Sequence, residues 1–242
     1  MSDHNRLITR TAREHLAPCG FFQAGGSRVW LQDNGWFMVM AEFRPSSFSK
    51  CSMLTMGLHF LWAHGPEAES EDVSTFHYPL FHPSINQCYA PYTGDDTLFC
   101  AHIARFCRVI LSETELLRHF HDFSYARTRL AGRASASIWD AYDHAMLCFL
   151  SGRHQEGAAS LAHCRALLQQ DIAAQQEAGQ LDSDSWLLRT DRWIAEEVQP
   201  ATDTREAAHA FVLASVNRRR AALMTRSRYK RMSHDAFSCE LR

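Results

Sequence analysis

RVWLQDNGWFMVMAEFRPSSFSKCSMLTMGLHFLW, residues 28 to 62, is the stretch on which the fold turns. Arg28 to Gln32 and Trp36 to Arg44 have strand-like patterns, and Asp33-Asn34-Gly35 stands between them. Asn-Gly is a strong hairpin signal, because both residues tolerate the positive φ that tight two-residue turns demand. In the second strand Phe37, Val39, Ala41 and Phe43 line one face while Trp36, Met38 and Met40 line the other. A strand apolar on both faces is expected to be central and covered from both sides. A polar connection, Pro45 to Lys50, leads into Met53 to Trp62, where Leu54, Met56, Leu58, Phe60 and Trp62 share a face opposed by Thr55, Gly57 and His59. The stretch reads as a three-stranded antiparallel meander.

Upstream, residues 5 to 17 place Leu7, Ile8 and Leu16 at helical spacing, and Pro18-Cys19-Gly20 stops the helix. The even-numbered face of the third strand is expected to pack on it. Downstream, residues 63 to 97 carry four prolines and no sustained period. A connection of that length without structure is unusual in a compact domain. Its first part, EAESED at 67 to 72, reads as a solvated acidic run; its second, FHYPLFHPSINQCYAPYTG at 76 to 94, is aromatic enough to pack on the body. Beyond it, helices are expected near 97–111, 113–130, 136–151, 155–178, 184–197 and 204–230, with Gly152 and Gly179 at breaks. The fold class is therefore α+β: an N-terminal helix and antiparallel meander, a long loop, then a mainly helical region. Two lobes, 1–97 and 98–242, or one continuous domain fit this pattern.

Composition excludes several classes of function. A formal charge of −2 gives the molecule as a whole no strong pull toward nucleic acid or anionic membranes. The opening MSDHNRLITR is expected to be neither a signal peptide nor an anchor, no apolar run is long enough to span a bilayer, and the closing CELR does not fit a prenylation pattern. A cytoplasmic location follows as an expectation, with the eight cysteines reduced and structural, since no two form C-x-x-C. Of the 25 Lys and Arg residues only Lys50 and Lys230 are lysines, a bias expected of a GC-rich bacterial genome. Neither lysine follows a glycine-rich loop, so a Walker A loop is absent, as are the kinase signatures. No cofactor is expected.

Two resemblances add to this reading. L-A-P-C-G-F (Leu16 to Phe21), a short hairpin, and an apolar strand ending G-L-H-F (Gly57 to Phe60) resemble an uncharacterised bacterial domain-of-unknown-function family over about the first 65 residues. That likeness implies a helix, a Gly-Phe corner and antiparallel strands, and no activity. A-M-L-C-F-L-S-G-R-H-Q-E-G-A-A-S-L-A-H-C, within 138 to 168, resembles one tetratricopeptide-type helical hairpin, with Gly152 at the turn and Gly157 where the repeat wants a small residue. One unit is not an array, and it implies a close-packed helix pair.

The candidate residues fall in four groups. His77, Tyr78, Phe81, His82, Tyr89 and Tyr92 concentrate rings in the long loop, where they either pin it to the sheet or present it to a partner. Asn217 to Arg231 holds seven basic residues and no acidic one, more than a helix C-terminus uses. Arg226, Arg228, Lys230 and Arg231 are the expected contacts for an anionic partner, either another protein or nucleic-acid phosphate, and the segment is expected to be dispensable for folding. His119-Phe120-His121-Asp122 is similar to the adjacent His-Asp of metal-dependent HD phosphohydrolases, and His102 and Asp140 would complete such a set; the alternative is an ordinary helix end. Asp140, His144 and Cys148 follow one another at i, i+4, but one helix cannot close a tetrahedral site, so an Asp140–His144 hydrogen bond over a core cysteine is expected instead. Ser47-Phe48-Ser49-Lys50 matches S-x-x-K, yet it joins two strands where the motif's serine should open a helix.

The leading expectation is a non-catalytic binding protein of the bacterial cytoplasm, of an accessory or immunity type, recognising another macromolecule, most readily a protein. An HD-type hydrolase and a nucleic-acid binder through the basic segment are the alternatives. The strand assignment is directly testable. Leu58→Asp should abolish folding, because it buries an unpaired charge. A soluble variant with unchanged Tm would show that the strand is misassigned or that its face points outward.

Overall fold

The computed structural model describes residues 3–46, 50–65, 73, 76–80 and 82–241. Ser47 of the S-x-x-K match, the acidic run at 67–72 and Phe81 lie outside these residues. The fold is α+β, and the chain divides into two compact units.

The first unit comprises Met1–Phe60, Val73–Arg118 and Leu223–Asp235. It contains α1 (Asp3–Leu16), β1 (Phe22–Gln23), β2 (Val29–Asp33), β3 (Phe37–Pro45), β4 (Cys51–Phe60), β5 (Tyr78–Pro79), α2 (Pro83–Asn86), β6 (Tyr89–Pro91) and α3 (Asp96–Leu117). The strands are antiparallel in the order β1-β2-β3-β4, with β5 and β6 both paired to the far edge of β4. The β3–β4 register runs from Phe37↔Phe60 to Pro45↔Ser52. Cross-strand partners share a face, so Phe37, Val39, Ala41 and Phe43 stand with Phe60, Leu58, Met56 and Leu54, all of them buried. The Phe43 ring stacks on Phe106 of α3 at 6.3 Å, and α3 packs along α1. Each large apolar side chain so buried stabilises by about 1.5–3 kcal/mol.

The β2–β3 hairpin forms where expected, one residue later than the Asn-Gly signal implies. Asn34 N–H donates to Phe37 O at 3.0 Å, which centres the turn on Gly35-Trp36, with Gly35 at φ 85°. Glycine at the first central position is what a type II′ turn requires. Trp36 is buried and stacks on Phe60 at 5.6 Å, and burial of that indole accounts for the shift.

The aromatic part of the expected long loop contributes two short strands to the sheet. His77 N–H donates to Leu58 O and Leu80 N–H to Met56 O, both at 2.9 Å, while Leu54 N–H donates to Cys88 O at 3.3 Å. The approach depends on Gly57. A Cβ there would lie 2.6 Å from Tyr78 O and 2.7 Å from the Phe76 ring. The aromatic segment thus pairs with the edge of β4 left open by β3.

The second unit comprises Leu61–Asp72, His119–Ala222 and Ala236–Arg242. Its helices are α4 (Phe123–Ala131), α5 (Ile138–Leu150), α6 (His154–Glu177), α7 (Trp186–Trp193), α8 (Gln199–Ala201) and α9 (Arg205–Met224, the last two residues lying in the first unit), with a π turn at Ile194–Val198 between α7 and α8. Every residue of α5 from Ala141 to Leu150 is buried, which makes it the unit's core helix. It packs along α6 through Gly157, where a Cβ would come within 2.5 Å of the Phe149 ring.

Two expected boundaries are corrected. The lobes do not divide at 97/98, because α3 covers the sheet and so belongs with it, and the chain returns to the first unit at Leu223–Asp235. The helix break expected at 112 falls instead at 118–122, where the Asp122 carboxylate accepts Ser124 N–H at 2.8 Å and starts α4. No helix among the described residues is long and apolar enough to cross a membrane.

Gly57→Ala should force residues 76–80 off β4 or strain the edge, at a cost of about 1–3 kcal/mol. Hydrogen exchange is the direct measurement: the amides of His77 and Leu80 should lose protection while those within β3 keep theirs. Unchanged protection at both would mean that the close approach does not hold the segment.

Candidate functional site

The aromatic segment is largely committed to holding itself in place. Tyr78 is buried in β5. His77 Nδ1 accepts Phe60 N–H at 2.9 Å, and its ring lies 4.1 Å from that of His59. His82 caps α2, and the neighbouring Ser84 Oγ donates to Glu113 at 2.7 Å. Tyr92 donates to Asp96 at 2.8 Å and sets its ring edge-on to Phe99. Tyr89 differs, since 49% of it is exposed.

Tyr89 is part of a row. β6 pairs Tyr89 with Met53 of β4, and β3 pairs Arg44 with the same Met53. Register partners in antiparallel strands point to the same side, so Arg44, Met53 and Tyr89 run across three strands on one face. Arg44 is exposed and Met53 is 39% exposed. Beside them Thr55 Oγ1 donates to Glu42 at 3.5 Å. On that same face, toward the other end of the strands, Met38, Met40, Gly57 and His59 are buried. The side chains therefore emerge at one end of a sheet whose other end is fixed by packing.

The basic segment is corrected in a different sense. Leu223, Tyr229 and Met232 are buried, as are Arg219 and Arg220. Tyr229 Oη accepts Val73 N–H at 3.0 Å, and Ser233 N–H donates to Asp33 at 3.1 Å. From Leu223 on, the segment is thus built into the sheet-bearing unit, which sequence charge alone hid. Arg228, Lys230 and Arg231 are exposed, and Arg226 is half-buried.

The HD-type set does not assemble as a ligand group among the described residues. His102 lies on α3 in the first unit, whereas the other members belong to the second. His119 sets its ring 5.5 Å from Tyr125, and Asp122 is occupied as the α4 cap. Asp140 accepts from Ser137 Oγ at 2.8 Å and pairs with Arg133 at 2.9 Å. His121 and Asp122 do line a cavity of about 590 Å³ together with Ser124, Arg127, Ser151 and Arg153.

Two buried polar clusters lie in the second unit: the sequence reading missed the one around Asp143, and it grouped His144 and Cys148 with Asp140 rather than with their partners on α6. Asp143 accepts from Trp62 Nε1 at 2.7 Å and lies 2.6 Å from His64 Nε2. Burial pushes its carboxyl upward, opposed by His64 and by the Trp62 hydrogen bond. Next to it in sequence, His144 turns elsewhere. The expected Asp140–His144 bond is replaced by one between His144 Nδ1 and Ser160 Oγ of α6, at 2.7 Å. Nε2 then lies 3.5 Å from both Cys148 Sγ and Glu156 Oε1. Burial is the main cause that lowers the pKa of His144 and pushes the Cys148 thiol up to about 12. Nothing in α5 alone signals this, because Ser160 and Glu156 come from the facing helix.

Comparison with family models, curated proteins and solved structures gave no match.

Truncation after Asn217 should leave a chain that does not fold stably. It removes three buried apolar side chains, Leu223, Tyr229 and Met232, worth about 1.5–3 kcal/mol each, a sum comparable to the roughly 5–15 kcal/mol that stabilises a domain. Circular dichroism melts would check this, and a cooperative transition at the full-length Tm would refute it.

Proposed function

We propose that the chain is a non-catalytic binding protein of the accessory or immunity kind, and that it docks another protein on the Arg44–Met53–Tyr89 row. The exposure of these three side chains on paired strands carries the reading. Tyr, Met and Arg are enriched in protein interfaces, where a Tyr ring buries much surface for little lost rotamer freedom, Met adapts its shape to the partner and Arg supplies planar ion pairs. Their backbone is already ordered by the sheet, so binding spends little free energy on fixing it. The partner that fits presents an apolar side chain to Met53 and Tyr89 and a carboxylate to Arg44.

A photoactivatable phenylalanine analogue at position 89 should cross-link one protein in native lysate, and the same probe at the exposed helical position Gln176 should not. With that partner purified, Tyr89→Ala combined with Met53→Ser should weaken binding by about 2 kcal/mol or more, as interface anchors do. Stability should change by no more than about 0.5 kcal/mol, as is usual at the surface. Cross-linking to nucleic acid, with affinity falling steeply with salt, would replace this reading by one centred on Arg228, Lys230 and Arg231. Equal cross-linking from both positions would remove it.

A further inference from the structure

The α5–α6 pair brings three side chains of metal-ligand type to one point. His144 and Cys148 are one turn apart on α5, and Glu156 stands in the first turn of α6, immediately before Gly157. The missing Cβ of Gly157 lets α6 close on Phe149, and that approach delivers Glu156 to the α5 face. His144 Nε2 lies 3.5 Å from Cys148 Sγ and 3.5 Å from Glu156 Oε1, and all three ligand atoms fall within 4.8 Å of one another.

These separations have a chemical meaning. Tetrahedral zinc holds nitrogen and oxygen at about 2.0–2.2 Å and thiolate sulfur at about 2.3 Å, which sets its ligand atoms about 3.3–3.6 Å apart. The two 3.5 Å distances match that spacing without movement of His144. The imidazole is also oriented for the task. When Nδ1–H donates to Ser160 Oγ, 2.7 Å away, the Nε2 lone pair faces the sulfur and the carboxylate.

We infer that His144, Cys148 and Glu156 bind one divalent transition-metal ion of the zinc class, tying α5 to α6. Binding breaks the Cys148 S–H bond and forms a metal–sulfur bond, and the proton leaves to solvent. The thiolate and carboxylate then neutralise the ion, an arrangement that a buried site tolerates where a lone charge would not. Glu156 is 43% exposed on its side chain, so the site opens to solvent there, and a water or an exogenous ligand takes the fourth position. The objection that one helix cannot close a tetrahedral site does not apply, because the second helix supplies a ligand. This site is independent of the protein-docking row.

The test uses full-length protein made without a histidine tag, stripped with chelator and titrated with Co²⁺. One equivalent should bind, with an intense near-ultraviolet thiolate-to-cobalt band and the visible bands of tetrahedral Co²⁺, and Zn²⁺ should displace it. About one proton should be released per ion near neutral pH. Cys148→Ser should abolish the near-ultraviolet band, and Ser160→Ala should weaken binding by about 10–100-fold, as loss of an orienting partner does. Glu156→Gln changes a surface side chain and should leave the fold intact while weakening Co²⁺ by at least about 10-fold. Binding below about a tenth of an equivalent, or binding without the thiolate band, overturns the inference. Should Cys148→Ser fail to fold, Glu156→Gln decides alone, and unchanged Co²⁺ affinity in that variant also overturns it.

Discussion

The pairing of β3 with β4, from Phe37↔Phe60 to Pro45↔Ser52, is the constraint on which the first unit depends. One face of it is apolar along most of its length and meets α3 through Phe43 and Phe106. The other face is buried only toward Met38, Met40 and His59 and emerges at Arg44 and Met53. A shift of one residue in this register would exchange the two faces and expose the core, so burial holds the row in place as firmly as it holds the fold. The edge of β4 then needs partners for its backbone groups, and the aromatic segment supplies them as β5 and β6.

The second unit depends on a different contact, between a glycine and a ring. With Gly157 against Phe149, α6 runs close enough to α5 for Ser160 to bind one nitrogen of His144 and for Glu156 to reach the other. α5 is buried on all sides, so each polar side chain it carries must find a partner inside the unit. Asp143 finds Trp62 and His64, and His144 finds Ser160. These clusters are the consequence of placing Asp143-His144 in the middle of a core helix.

Several of the sequence's signals had a structural destination. The rings of the long segment serve mainly to fasten it: Tyr78 lies in β5, His77 binds a backbone amide and Tyr92 bonds to Asp96. The His-Asp of 121–122 begins a helix, because a carboxylate is a good partner for the open amides there. The surplus of arginines near the C-terminus hides buried Leu223, Tyr229 and Met232, which anchor the segment. In each case the residue type was noticed for the right chemistry, and the fold spent that chemistry on itself.

What the sequence by itself determined is the class and order of the elements: the α1 helix, the period-two strands through Leu58, and the helices that follow. These depend on alternation and spacing within one segment, which local physics reads directly. The tertiary structure alone decided which side chains meet. Tyr89 joins Met53 and Arg44 through two separate strand registers, and Glu156 joins His144 and Cys148 through a helix packing set by one missing Cβ. Neither junction leaves a period or a motif in the chain, because each arises where two elements distant in sequence are brought together by the burial of other residues.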